Sequence, residues 1–311
     1  SPLVVLIAFA ASMCCASSIG QFARRLPSAG SLYTYSSRGL GRTGGFLTGW
    51  MMVFAYVLYV PAGIALTSAY MSQLLAGTLH VAVSAWALFV IIVAAVAIVA
   101  YLGIKTSSSA DLVLVVGEVA VIAALAITIM VSLSPADYSA AVLSPASSPN
   151  GQLTDITNAM IYGITAFAGF EASAALGEEA RNTRRSIPGS MIGVVIVTGI
   201  FYLLVVLAEM FGLGRKGIPG FTQQGNPLSY LTGRYWSPSA VWAIELVVVL
   251  AGLGFVIATF NVAIRVLFAM GRERVLPETL ARLSRRRTPT ISIACVAGFA
   301  LLLGLPMTSS Y

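Results

Sequence analysis

Charge is what this sequence has least of. Only 9% of its 311 residues are Asp, Glu, Lys or Arg, while 58% are hydrophobic. Soluble domains carry roughly 25% charged residues. Histidine is reduced to one, His80, at the end of an apolar run, which argues against His-based catalysis and His metal ligation. Cysteine is scarce too. Cys14, Cys15 and Cys295 lie inside apolar runs without disulfide or metal spacing, and are expected as small buried residues. There is no phosphate-binding GxxxxGK[ST] loop, no HExxH and no Ser/His/Asp set. An enzyme is therefore not expected, nor ATP hydrolysis, nor any cofactor.

What is present is apolar sequence in long runs. In lipid, helices satisfy their own backbone, so the fold class expected is an all-α polytopic membrane protein. A span needs about 20 residues. Eight candidates stand out: 3–23, 46–76, 81–102, 109–133, 154–178, 187–212, 239–270 and 290–307. The second and seventh exceed one bilayer thickness, so tilt or cytoplasmic extension is expected. The opening run has no basic residue before it and Arg24-Arg25 after it, which favours a true span over a signal peptide. With an apolar run near each end and no initial Met, the chain reads as an internal piece of a longer protein.

The net charge of +7 gives orientation rather than a nucleic-acid partner. Alternate connections carry Arg24, Arg25, Arg38 and Arg42, then Lys105, then Arg181, Arg184 and Arg185, then the arginines of 272–287. The other connections hold only Arg215, Lys216 and Arg234. The positive-inside rule assigns the richer set to the cytoplasm. The polar connections 24–45 and 212–238 each follow one span and precede a long one, as an inverted repeat with short helices on opposite faces would require. Gly41, Gly45 and Gly49 recur at helical spacing and are expected to let helices approach closely.

The stretch 155–188 departs from the pattern of a plain span. Ala166, Phe167, Ala168, Gly169 and Phe170 form a small, flexible core, and the carboxylate Glu171 follows at once. Broken helices are tolerated at membrane depth only against protein or a cavity. A break there exposes N–H groups that attract a carboxylate and carbonyls that attract an ammonium, so a zwitterionic amino acid suits both. Phe167 or Phe170 could cover it by apolar or cation–π contact. Phe255 and Thr259 share one face of the seventh span, near Gly252, and are candidates for the same cavity. Tyr56 and Tyr59 are expected as interfacial or packing aromatics that could reach a cavity, and Asn261 is expected to hydrogen-bond within the bundle.

Glu118 lies about 14 Å into the fourth span at 1.5 Å per residue, near mid-membrane and with no basic residue within a turn. Intramembrane acids are functional candidates by default. A carboxyl that gains and loses a proton there suits proton coupling, and satisfaction by a neighbouring helix is the rival reading. Glu171 either braces exposed backbone or joins a proton path. Glu209 and Glu245, nearer the outer face, suit structural or gating roles. Glu178 and Glu179 sit among arginines as a surface ion-pair cluster or a cytoplasmic gate.

Three stretches carry a family resemblance. They are QFARRLPSAGSLYTY at 21–35 with GFLTGW at 45–50, AFAGFE at 166–171 with EEARNTRRSIP at 178–188, and RVLFAMGRERVLP at 265–277 with Thr288-Pro289. The chain resembles the amino acid–polyamine–organocation (APC) superfamily of permeases. The resemblance implies a five-plus-five inverted repeat working by alternating access, with the eight spans matching family helices two to nine. The chain would then be a partial single transporter domain, with 1–133 as the remainder of the first repeat and 154–311 as an incomplete second. The family's glycine-rich broken first helix would lie outside this chain. Gln21 stands where many members have Glu, so that acid's role does not transfer.

The reading is a multi-pass plasma-membrane secondary transporter of amino acids, coupled to protons or to a counter-substrate. Its partners would be the small-molecule substrate and membrane lipid, without nucleic acid. Ala166 to Phe170, Phe255 and Thr259 are the substrate candidates, and Glu118 then Glu171 the proton candidates. An amine, polyamine or ethanolamine permease and a non-transporting receptor on a permease scaffold are the alternatives.

Overall fold

The computed structural model describes residues 1–26, 31–103, 108–134, 138, 153–171, 183–221, 226–286 and 288–308. Among these the regular structure is helical: α1 (Pro2–Arg25), α2 (Ser31–Leu79), α3 (Ala85–Leu102), α4 (Ser108–Ser132), α5 (Leu153–Phe167), α6 (Thr183–Phe221), α7 (Pro227–Tyr235), α8 (Val241–Arg272) and α9 (Thr290–Thr308). Six stretches are long and apolar enough to cross a membrane: Pro2–Arg25, Leu32–Leu79, Ala85–Leu102, Leu112–Ser132, Arg185–Leu213 and Pro238–Arg272. The other two expected spans are shorter here. One is the apolar part of α9, Thr290–Gly304, and the other is α5, which ends at Phe167.

The chain divides into two compact units. One holds Ser1–Ser31 and Val119–Ile244; the other holds Leu32–Glu118 and Glu245–Tyr311.

In the first unit α1 is the organising helix. Val4, Ala8, Ser12, Ala16 and Gly20 recur every four residues and are buried. Such a stripe lets neighbours come close, and dispersion at short range then holds helices together in lipid. α1 packs on α5 and α6. The partners use the same device: a Cβ at Gly163 would meet Val4 and Ala8, and one at Gly199 would run into the ring of Phe9. A second cluster joins Leu125, Ile129, Leu231 and Ile244. The 212–238 connection does carry a short helix, α7. Asn226 caps it by accepting a hydrogen bond from the Leu228 N–H at 3.1 Å, and Pro227 fits the first turn, where no N–H donor is needed. Tyr235 pins that helix by donating to the Gly212 carbonyl at 3.1 Å.

The second unit is built around α2, α3, α8 and α9, with Val60, Ile64, Phe89, Val256 and Phe260 at its centre. Here α2 is not one rod. Gly41 holds φ 79°, ψ −176° and reverses the chain. The short arm 31–40 then lies back against the start of the long segment, so that Cβ atoms at Gly45 and Gly49 would meet Ser37 and Tyr33. The sequence grouped the three glycines as packing positions. Gly45 and Gly49 are that, whereas Gly41 is the turn itself.

Two expectations are corrected. Cys14, Cys15 and Cys295 are exposed on their helices rather than buried. A thiol behaves as a small hydrophobe, so a lipid-facing surface accommodates it as well as a core does. Asn261 is exposed and has no hydrogen-bond partner among the described residues, so it does not brace the bundle described here.

Candidate functional site

In the first unit α5 stops where the sequence places the interruption. The last helical residue is Phe167, and residues 168–171 form a turn. The Ala168 N–H still reaches back to the Thr165 carbonyl at 3.1 Å. Gly169 then takes φ 111°, in the left-handed region where a Cβ is strained, and this ends the helix. Two side chains service the exposed backbone. The Gly169 N–H donates to Glu171 Oε2 at 2.9 Å. The Tyr202 hydroxyl, from α6, donates to the Ala166 carbonyl at 3.0 Å. In a medium without water an unpaired carbonyl costs several kcal/mol, roughly, so this tyrosine makes the interruption tenable.

The five segment residues play different parts. Phe167 is buried, stacked on Phe9 with centroids 6.1 Å apart and edge-on to Tyr202 at 5.4 Å. It anchors the end of α5 to α1 and α6. Ala166 and Ala168 are exposed, while Gly169 and Phe170 are half-buried. What the end of α5 leaves exposed is thus backbone and small side chains, with Phe170 beside them. Glu178 and Glu179, the other acids of the motif, lie outside the described residues.

Phe255 and Thr259 belong to the second unit. They share a face of α8, as their spacing implies, and are one turn apart. The Thr259 hydroxyl donates to the Phe255 carbonyl at 2.8 Å and the Val256 carbonyl at 3.1 Å, so it is satisfied by its own helix. The Phe255 ring lies against Gly63 and edge-on to Tyr59, with centroids 6.4 Å apart. Gly252, one turn earlier, receives Thr67 in the same manner. Two glycines, one on α2 and one on α8, thus bring these helices into close contact. Tyr56 is buried and edge-on to Tyr59 at 6.2 Å.

Glu118 is half-buried on α4, at the residue where the second unit gives way to the first. It has no hydrogen-bond or charged partner among the described residues. Glu209 is half-buried on α6 and Glu245 on α8, where Glu245 is engaged with other groups.

The residue that sequence reasoning missed is Tyr202. It sits in an unbroken apolar run, IFYLLVV, where a tyrosine reads as packing. Its distance of 36 residues from Ala166 leaves no local pattern to find.

The described residues thus form a polytopic all-α membrane protein in which one apolar helix stops among serviced but uncovered backbone. The family model for amino acid permease matches residues 1–310, and the chain belongs to that family. It is accordingly a multi-pass plasma-membrane protein. It is 26% identical to the low-affinity putrescine importer PlaP of Escherichia coli K12 over 310 residues, covering 97% of this chain. It is 27% identical to the branched-chain amino acid permease BcaP of Bacillus subtilis over 320 residues, covering 96% of this chain. The Bacillus subtilis methylthioribose transporter is 28% identical over 301 residues, covering 90% of this chain and 62% of its own length. The chain spans 66% of the length of PlaP and of the Bacillus subtilis BcaP.

Proposed function

We propose that the protein containing this chain moves an amino acid across the plasma membrane by secondary active transport, with alternating access and proton coupling. The observation that carries the reading is the end of α5. Its backbone is satisfied by the Glu171 carboxylate and the Tyr202 hydroxyl, groups that a bound solute can replace without leaving backbone unpaired in lipid. Ala166, Ala168, Gly169 and Phe170 form the substrate half-site, with Phe167 as its anchor. Phe255 and Thr259 are the substrate candidates within the second unit.

The division of the chain supports an inverted repeat. Each proposed repeat begins in the first unit and passes into the second: 1–31 then 32–118, and 154–244 then 245–311, with 119–133 returning to the first. Two repeats threaded in the same order through the same two units are what duplication leaves behind.

Glu118 is the first candidate for proton carrier and Glu171 the second. Glu118→Gln in the full-length protein, reconstituted in proteoliposomes, is expected to abolish pH-driven accumulation while sparing exchange of internal for external substrate. Accumulation against a gradient unchanged from wild type removes Glu118 from the coupling role. An amine is the second substrate reading, favoured by the similarity to a putrescine importer. Competition of putrescine against branched-chain amino acids in the same vesicles separates the two. Binding of either solute without flux would instead favour a receptor on a permease scaffold.

A further inference from the structure

A cleft outside the α5 turn has the chemistry of a binding site. It encloses about 340 Å³ between the end of α1 and the start of α6. That is inside the range of roughly 300–1,000 Å³ in which small molecules are held. Gly20 and Pro188 line it where the two helices touch; a Cβ at Gly20 would stand 3.3 Å from Pro188 Cβ. Ile192, one turn beyond Pro188, adds an apolar wall. The rest of the lining is polar. Ser17, Gln21 and Arg24 fall on one face of α1, and Arg25 joins them. No acidic residue among the described ones lines it, and neither arginine has an ion-pair partner among the described residues.

We infer that this cleft holds the phosphate of an anionic phospholipid headgroup. Two guanidiniums beside an amide and a hydroxyl form a donor set suited to phosphate oxygens, which arginine binds in a fork. Depth favours a lipid over a free ion. Arg24 and Arg25 close an apolar helix of membrane length, so the cleft opens at headgroup level. The positive-inside pattern puts that end at the cytoplasmic leaflet, where anionic lipids attract basic clusters. The Gly20–Pro188–Ile192 side offers apolar surface to the glycerol and upper acyl chain.

The test uses the full-length protein in detergent, with phosphatidylglycerol or phosphatidylcholine added and retained lipid read by native mass spectrometry. Wild type is expected to retain phosphatidylglycerol about fivefold or more over phosphatidylcholine, and R24Q/R25Q to lose that preference. R24K/R25K keeps both charges, and with them the membrane topology, but removes the guanidinium forks; it is expected to lose roughly threefold in retention. Melting curves of each variant show which are folded, and R24K/R25K decides alone if the glutamine variant is not. Retention by R24K/R25K equal to wild type would mean diffuse charge and overturn the site. So would equal retention of both lipids by wild type. Complete displacement of phosphatidylglycerol by millimolar inorganic phosphate would overturn the lipid assignment in favour of a soluble anion.

Discussion

Gly41 and Gly169 both hold a left-handed φ, 79° and 111°, and at both an added Cβ would meet open space. They differ in what lies on either side. At Gly41 the chain closes on itself: Gly45 comes back to Ser37 and Gly49 to Tyr33, so close packing sets the turn, and the Tyr33 hydroxyl adds a hydrogen bond to Glu273. At Gly169 the backbone is held by two polar side chains, Glu171 and Tyr202. A turn locked by packing has one arrangement. An end held by exchangeable hydrogen bonds can accept a ligand that offers the same bonds, and can shift as it does so. The first is architecture and the second is the half-site proposed above.

The largest effect expected from breaking this contrast is at Gly45. A Cβ there stands 2.9 Å from the Ser37 Cα, and closer still to its hydroxyl, so Gly45→Val has nowhere to go without opening the arm. Overpacking costs about 1–3 kcal/mol where side chains can yield, and backbone yields less readily. The full-length variant is expected to give less folded protein and a melting midpoint lower by several degrees, with transport per folded molecule retained. An unchanged midpoint would show that the arm is not packed as described.

Gly169→Ala should do the reverse. No atom obstructs the added methyl, and only the left-handed backbone resists it, at about 1–3 kcal/mol. Strain confined to the end of α5 should leave the midpoint within a few degrees of wild type while substrate uptake falls about tenfold, the equivalent of ~1.4 kcal/mol. If Gly169→Ala destabilises as much as Gly45→Val, the two glycines do the same job and the contrast fails. Normal uptake would remove the end of α5 from the transport site.

The interruption at Gly169 was legible in the sequence because it is local: small residues, a glycine and an acid follow one another in a run that is otherwise apolar. The spans were legible for a similar reason, since hydrocarbon thickness sets their length. The reversal at Gly41 was half legible. Its glycines showed at helical spacing, but the same spacing describes a helix packing on a neighbour and a helix packing on its own preceding arm. Thr259 shows another limit. Sequence put it on a face of α8 that could line a cavity, but did not show that its hydroxyl turns back to its own helix's carbonyls. The exposed cysteines follow from lipid being the solvent, where apolar character no longer implies burial. Tyr202 was beyond reach because hydrogen bonding between helices leaves no periodic mark.

That tyrosine supplies the smallest and most discriminating test. Tyr202→Phe keeps the ring whose edge meets Phe167 at 5.4 Å and removes only the hydroxyl that donates to Ala166. Hydrogen bonds between membrane helices are worth about 0.6 kcal/mol on average and up to ~1.7. The melting midpoint should therefore scarcely move. If the hydroxyl orders the carbonyl end of the half-site, its loss falls on substrate binding, and the half-saturating substrate concentration should rise roughly threefold at unchanged maximal rate. Tyr202→Leu, which loses ring and hydroxyl together, should lower both the midpoint and the maximal rate. A phenylalanine variant that matches wild type in half-saturation would mean that Tyr202 serves α5 by packing alone, and the contrast with Gly41 would then rest on Glu171.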